Sequence, residues 1–219
     1  MPRALFALLL GAAVSGASQE PPPALVGTLE SGTYSSATHA FKIAIPVLPE
    51  LGGRIRDTEH VVMFQDSFGV QISIGAFIQD ATQRWEYSTR GTKDYLIYFF
   101  GSFVMADFKR YCPEARIESA GFAPEYLDGS LFSYILLPGG SMFANQLAFA
   151  SPDKPPVAKR GNLVFIKNGF TFVVSTELAE KVTEGSSYKK TPEEEDQILR
   201  KRLVDIVAKM QFPKAAPAK

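Results

Sequence analysis

The chain has 219 residues, of which 46% are hydrophobic and 12% aromatic, and its 23 basic residues balance its 23 acidic ones. Such length and apolar content exclude a disordered chain and allow one substantial core. The even charge excludes the basic footprint of a nucleic-acid-binding protein. One cysteine, Cys112, excludes an intrachain disulfide, so packing must hold the fold.

Met1-Pro2-Arg3, an apolar run over residues 4–14 and the small residues Ser15-Gly16-Ala17 read as a secretory signal peptide, residues 1–17, cleaved after Ala17. The run is too short to span a bilayer, which takes about 20 residues. No cysteine follows it, so no lipid attachment of the lipoprotein kind is available, and the mature chain is expected to be periplasmic or secreted. Residues 18–31, with Pro21-Pro22-Pro23, form a spacer. Residues 32–213 form a single α+β domain, and 214–219 a flexible tail.

Strand signals come in pairs. Tyr34-Ser35 precede a turn at Ala37-Thr38-His39, after which Phe41, Ile43 and Ile45 alternate with polar or small residues until Pro46. Residues 60–65 and 70–77 flank Asp66-Ser67-Phe68-Gly69, and residues 116–122 and 130–137 flank Asp128-Gly129. The strongest hairpin joins 162–167 to 170–175 through Asn168-Gly169, since both central positions of a type I′ turn need positive φ.

Two helices are predicted. The second opens with Thr191-Pro192-Glu193-Glu194, a capping box with proline in the first turn. Leu199, Leu203, Ile206, Val207 and Met210 form its apolar stripe, and Arg200, Lys201 and Arg202 are expected to suit the helix dipole. The first, over about 93–111, carries Tyr95, Tyr98, Phe99, Phe100, Phe103 and Phe108 almost all round the cylinder. Such a helix needs cover on more than one side. The domain itself, a partner, or an apolar ligand are the three candidates, and Tyr95, Tyr98, Phe99, Phe100 and Phe103 are the candidate partner or ligand surface. Pro113 ends this helix and places Cys112 near its C-terminus, where a small, partly buried hydrophobe is expected, with an intermolecular disulfide or redox thiol as the alternative.

Catalytic motifs are missing. Gly139-Gly140-Ser141-Met142-Phe143 lacks the second glycine of a nucleophile elbow, and neither H-E-x-x-H nor a phosphate-binding glycine loop occurs. His39 and His60, the only histidines, match no zinc spacing with Asp57 or Glu59, so no metal, cofactor or catalytic residue is assigned. The run 193–196 is explained by helix capping. None of the three asparagines lies in a glycosylation sequon, which favours a bacterial envelope protein.

The order Tyr34, Phe41-Lys42-Ile43-Ala44-Ile45-Pro46, the strand at Val61 with Asp66 and Gly69 after it, Arg160-Gly161-Asn162-Leu163-Val164, and Ile206-Val207 with Phe212 resembles the PsbP-like fold, whose architecture DcrB-like bacterial envelope proteins share. The resemblance implies a largely antiparallel sheet with helices on both faces, an α/β/α sandwich. It also implies a non-enzymatic binding or assembly role, with no catalytic motif to carry over. This chain departs from it in lacking the lipobox cysteine and in a Pro- and Gly-rich excursion over 138–159. The expectation is an exported binding or assembly accessory contacting an envelope protein through the aromatic helix and that excursion. The alternatives are a carrier of an apolar small molecule or lipid, with Phe99, Phe100 and Phe103 lining a cavity, and, third, a secreted hydrolase.

Overall fold

The computed structural model describes residues 24–144 and 155–213; the stretch read as a signal peptide, most of the expected spacer and the expected tail lie outside the described residues. Strands β1 (Thr28–Glu30), β2 (Thr33–Ser35), β3 (Lys42–Ala44) and β11 (Met210–Gln211) form a small sheet in the order β1-β2-β3-β11. Strands β4 (Arg54–Asp57), β5 (Val61–Gln65), β6 (Gln71–Ile78), β7 (Arg116–Ala123), β8 (Ser130–Pro138), β9 (Val157–Lys167) and β10 (Phe170–Glu177) form a large one in the order β4-β5-β6-β10-β9-β8-β7. Every pairing is antiparallel. The four predicted hairpins are present, and in the strongest Asn168 and Gly169 have φ of 51° and 78°, which only a turn-tolerant residue and a glycine accept without strain.

Alternation along the large sheet separates two cores. Phe64, Ile74, Phe132, Leu163, Phe165, Phe172 and Val174 face α4 (Pro192–Ala208) and the small sheet, whose Tyr34 and Ile43 join the same cluster. Leu131, Ile135, Val164 and Val173 face the opposite way, toward Tyr95, Leu96, Phe99, Phe100 and Val104. The architecture is therefore the expected α/β/α sandwich, with the small sheet sharing a layer with α4.

Helix α4 has the predicted capping box. Glu194 N–H donates to Thr191 Oγ1 at 3.3 Å, and Thr191 N–H donates to Glu194 Oε2 at 2.8 Å. Gly161 lets it lie close on β9, since a Cβ there would sit 3.0 Å from the Leu199 Cβ. Two details of this helix differ from expectation. It runs on to Ala208, so Arg200, Lys201 and Arg202 sit mid-helix and no basic side chain lies in its last turn. Met210 belongs to β11, although it still joins the core stripe.

The aromatic helix starts earlier than predicted. Helix α1 (Ala81–Phe99) opens on an Asp80 cap, breaks at Gly91 (φ 74°), and continues through a π-helical stretch, Phe100–Val104, into α2 (Met105–Tyr111). A short helix α3 (Ala179–Thr183) follows β10. Among the described residues no helix is long and apolar enough to cross a membrane.

Candidate functional site

The five aromatic candidates divide by burial. Tyr95, Phe99 and Phe100 are buried against the large sheet, while Tyr98 and Phe103 are half-exposed. Cover on more than one side comes from the domain. The π-helical stretch rotates Phe100 and Val104 inward, and the Phe99 ring meets Phe103 at 5.1 Å and Phe77 at 6.0 Å between centroids. Tyr95 donates to Gln83 Oε1 and shares a 2.8 Å hydrogen bond with Thr171. Tyr98 carries the Arg90 guanidinium 4.5 Å from its ring centre. These rings fill the layer with one another.

Further candidate features gather at the end of the sandwich where β5, β8 and β10 finish and β6 and β9 begin. The turn between β5 and β6 is built on Asp66, which is buried and accepts the backbone N–H groups of Phe68, Gly69 and Val70, each at 2.9 Å. Burial pushes the Asp66 carboxyl up, but these three donors outweigh it and hold it below the usual carboxylate range. The turn they fix carries Phe68 at its tip, 68% exposed. Ser67 N–H donates to the Leu51 carbonyl at 3.2 Å, which sets this turn against the one-turn helix Pro49–Leu51. Leu48 and Leu51 are exposed on the first of these neighbouring turns and Phe68 on the second, and Glu50 is exposed beside Leu51 in the chain.

Behind this tip lie two charged centres on adjacent residues of β9, facing opposite ways. Lys159 is wholly buried on the α4 side. Its Nζ lies 2.5 Å from Glu118, 2.7 Å from Asp196 and 3.1 Å from Glu195, and donates to the Pro192 carbonyl. Burial alone would pull the ammonium down; the three carboxylates outweigh it and hold it above the ordinary lysine range. Lys181 meets the other Glu195 oxygen at 2.5 Å, and Arg202 pairs with Glu180. So engaged, Lys159 ties α4 and β7 to β9 and is no free nucleophile.

Arg160 faces α2, with its guanidinium 5.4 Å from the Phe108 ring centre, and donates to Glu177 Oε2 at 3.0 Å. Glu177, wholly buried, also accepts the Ser141 hydroxyl at 2.6 Å and the Met142 N–H at 3.2 Å, while Gln65 Nε2 donates to the Met142 carbonyl at 3.4 Å. The opening of the 138–159 excursion is thereby strapped to the sheet. Residues 145–154 of that excursion lie outside the described residues.

The remaining candidates are placed apart. His39 is exposed in its turn; His60 has Nε2 3.7 Å from Glu59; and Asp57 is engaged by Val26 N–H, Gly27 N–H and the Tyr34 hydroxyl. No group of three or more metal-ligating side chains exists among the described residues. Cys112 is buried at the end of α2, where it donates to the Pro138 carbonyl at 3.2 Å, and burial pushes its thiol up. Sequence reasoning missed the apolar tip, though a phenylalanine in a four-residue polar turn was its signal. It also missed both charged centres, whose members come from distant segments.

No family model matches this chain, and no curated protein matches it in sequence. Solved structures similar to it include cyanobacterial PsbP (CyanoP) from Synechocystis sp. PCC 6803, at 13% identity and TM-score 0.47, covering 83% of this chain and 91% of that one. The Ran-binding protein Mog1p of Saccharomyces cerevisiae is similar at 8% identity and TM-score 0.48, covering 85% and 97%. One of these structures is thus a PsbP, the protein for which the fold that the sequence resembles is named. At such identities the likeness concerns the fold alone, and the site rests on this chain's own residues.

Proposed function

We propose that this chain is an exported, non-enzymatic binding or assembly protein of a bacterial envelope, which holds a protein partner through Leu48, Leu51 and Phe68. The supporting observation is the display of Phe68, 68% exposed on a turn fixed by three hydrogen bonds to a buried carboxylate. A preordered aromatic side chain loses little entropy on docking and suits the centre of an interface. Glu50, exposed within the same tip, opposes an anionic lipid surface and suits an apolar protein groove flanked by a basic side chain. The export half of the proposal rests on the leader-like sequence of residues 1–17.

The test places a photo-crosslinking amino acid at position 68, and at exposed Lys93 as a control, in the native host. Expected are a mature chain starting at Ser18 by mass, and one discrete protein adduct from position 68 only. The paired substitution Leu48→Ser with Leu51→Ser should abolish that adduct and leave the thermal midpoint within about 2 °C, as surface changes do. An uncleaved chain overturns the export half. Equal crosslinking from both positions, or a bare monomer in native mass spectrometry of the host extract, overturns the docking half.

A further inference from the structure

The two edges of the large sheet are finished differently. At one edge β4 is four residues long and holds Arg54 and Arg56, and its Asp57 accepts the backbone N–H groups of Val26 and Gly27 from the chain that precedes β1. Shortness, charge and cover are the usual means by which a soluble protein keeps a sheet edge from pairing with another chain. At the other edge β7 is eight residues long, and among the described residues no strand pairs with its outer side.

The sequence of β7 leaves that side open. Its charged residues, Arg116 and Glu118, lie at or before the bulge between Ile117 and Ser119, and Glu118 is paired with the buried Lys159. Beyond the bulge Ser119-Ala120-Gly121-Phe122-Ala123 runs in unbroken register with β8 and contains neither a charge nor a proline. Ala120 and Gly121 are exposed, and a Cβ at Gly121 would meet no atom within 4 Å beyond its chain neighbours. An edge strand turns the N–H and C=O groups of alternate residues outward, so this stretch offers a row of them to a further strand. Helix α4 lies over β9 and β10, inside this edge.

The ends of the strand show what fits there. Arg116 is exposed at its start and Glu125 just past its end. On β8 the partners of Arg116 and Gly121, Leu136 and Phe132, are four positions apart, and Glu125 lies four residues after Gly121. A second copy laid antiparallel about a twofold axis at Gly121 therefore brings Arg116 of each chain to the level of Glu125 of the other. The same operation sets Ser119 opposite Ala123, Ala120 opposite Phe122, and Ile117, 48% exposed, opposite the exposed Pro124. Opposite charges meet at both ends and small or apolar side chains meet between them, each contact made twice by symmetry.

From this we propose that β7 is the surface through which two copies of this chain associate, their edge strands antiparallel about Gly121 and their large sheets joined into one. The surface is separate from the apolar tip, and either can fail without the other.

Sedimentation velocity of the purified chain from Ser18 onward, between about 1 and 300 µM, should show a reversible monomer–dimer equilibrium. Arg116→Glu and Glu125→Arg each set like charges together at both ends, and each should weaken dimerisation about tenfold or more while leaving the thermal midpoint of the monomer unchanged. An equal mixture of the two variants should recover the dimer, because the mixed pair again sets opposite charges together. Gly121→Cys stands on the axis, about 5 Å from its mate between Cα atoms, and should give a covalent dimer with oxidised glutathione. Ile117→Cys, also exposed but about 20 Å from its mate, should not. A native chain that stays monomeric over the whole range, single variants that change nothing, a mixture that recovers nothing, or equal covalent dimer from both cysteines overturns the proposal. So does a Gly121→Cys chain captured in the host extract solely as a mixed disulfide with another protein.

Discussion

Asp66 accepts three backbone N–H groups from the turn that carries Phe68, so Asp66→Ala removes three charge-assisted bonds at once. The expected loss is about 2–3 kcal/mol of unfolding free energy, with Phe68 crosslinking lost as well, whereas Phe68→Ser should leave stability unchanged. Because the Asp66 carboxyl is held below its ordinary value, its contribution is complete above the ordinary carboxylate range. It disappears as pH falls through the lowered value. Asp107 on α2 behaves oppositely. Desolvation pushes its carboxyl up to about 6 despite Arg110 at 3.3 Å. The folded state then holds a proton that the unfolded state has already released, so this residue's contribution falls as pH rises from the ordinary aspartate value to about 6. Asp107→Asn should raise stability near neutral pH by roughly 2 kcal/mol and change little near pH 4, as thermal melts at the two pH values would record.

Helix α4 and strand β9 are joined by one buried ammonium, and their docking should respond to it sharply. Lys159→Met leaves Glu195, itself 1% exposed, with a charge that Lys181 alone must answer. A loss of about 3–5 kcal/mol in chemical denaturation is expected, and Glu195→Gln in the same chain should restore part of it. Legibility differs between the helices for physical reasons. The α4 boundary was readable because a capping box is local chemistry, complete within Thr191 to Glu194. The start of α1 was not, since residues 81–90 have no buried side chain and hence no apolar period to betray them. The all-round aromatic pattern was readable, but its cause was a π-helical stretch that re-aims side chains within the run. The hairpins were legible from turn residues and alternation. Strands β1, β4 and β11 were not, being only two to four residues long. The polar row across the large sheet could not be read at all: its residues look like ordinary strand polar positions until the register brings Ser73, Ser175, Asn162 and Ser133 into line.

At the scale of the whole molecule, both termini of the domain end in one small sheet, where β11 pairs with β3 and its Met210 lies opposite Ile43. Removing residues 209–219 should therefore destabilise the four-stranded sheet and the α4 core together, lowering the thermal midpoint by several degrees, whereas removing 214–219 should not. The large sheet consists of two meanders, β4-β5-β6 and β7-β8-β9-β10, that meet only where β6 lies beside β10. In that seam Ile72 pairs with Thr176, roughly a hundred residues later in the chain. Each meander can zip locally, but closing so long a loop must precede any reward at the seam, which makes it the slow event of folding. A chain threaded through a membrane amino end first would present β6 with an unmet edge until β10 arrived, and during that wait another copy's strand is as good a mate as its own. The yield of native protein is then governed by the delivery time of the roughly hundred residues from the end of β6 to the end of β10 rather than by the stability of the finished sandwich.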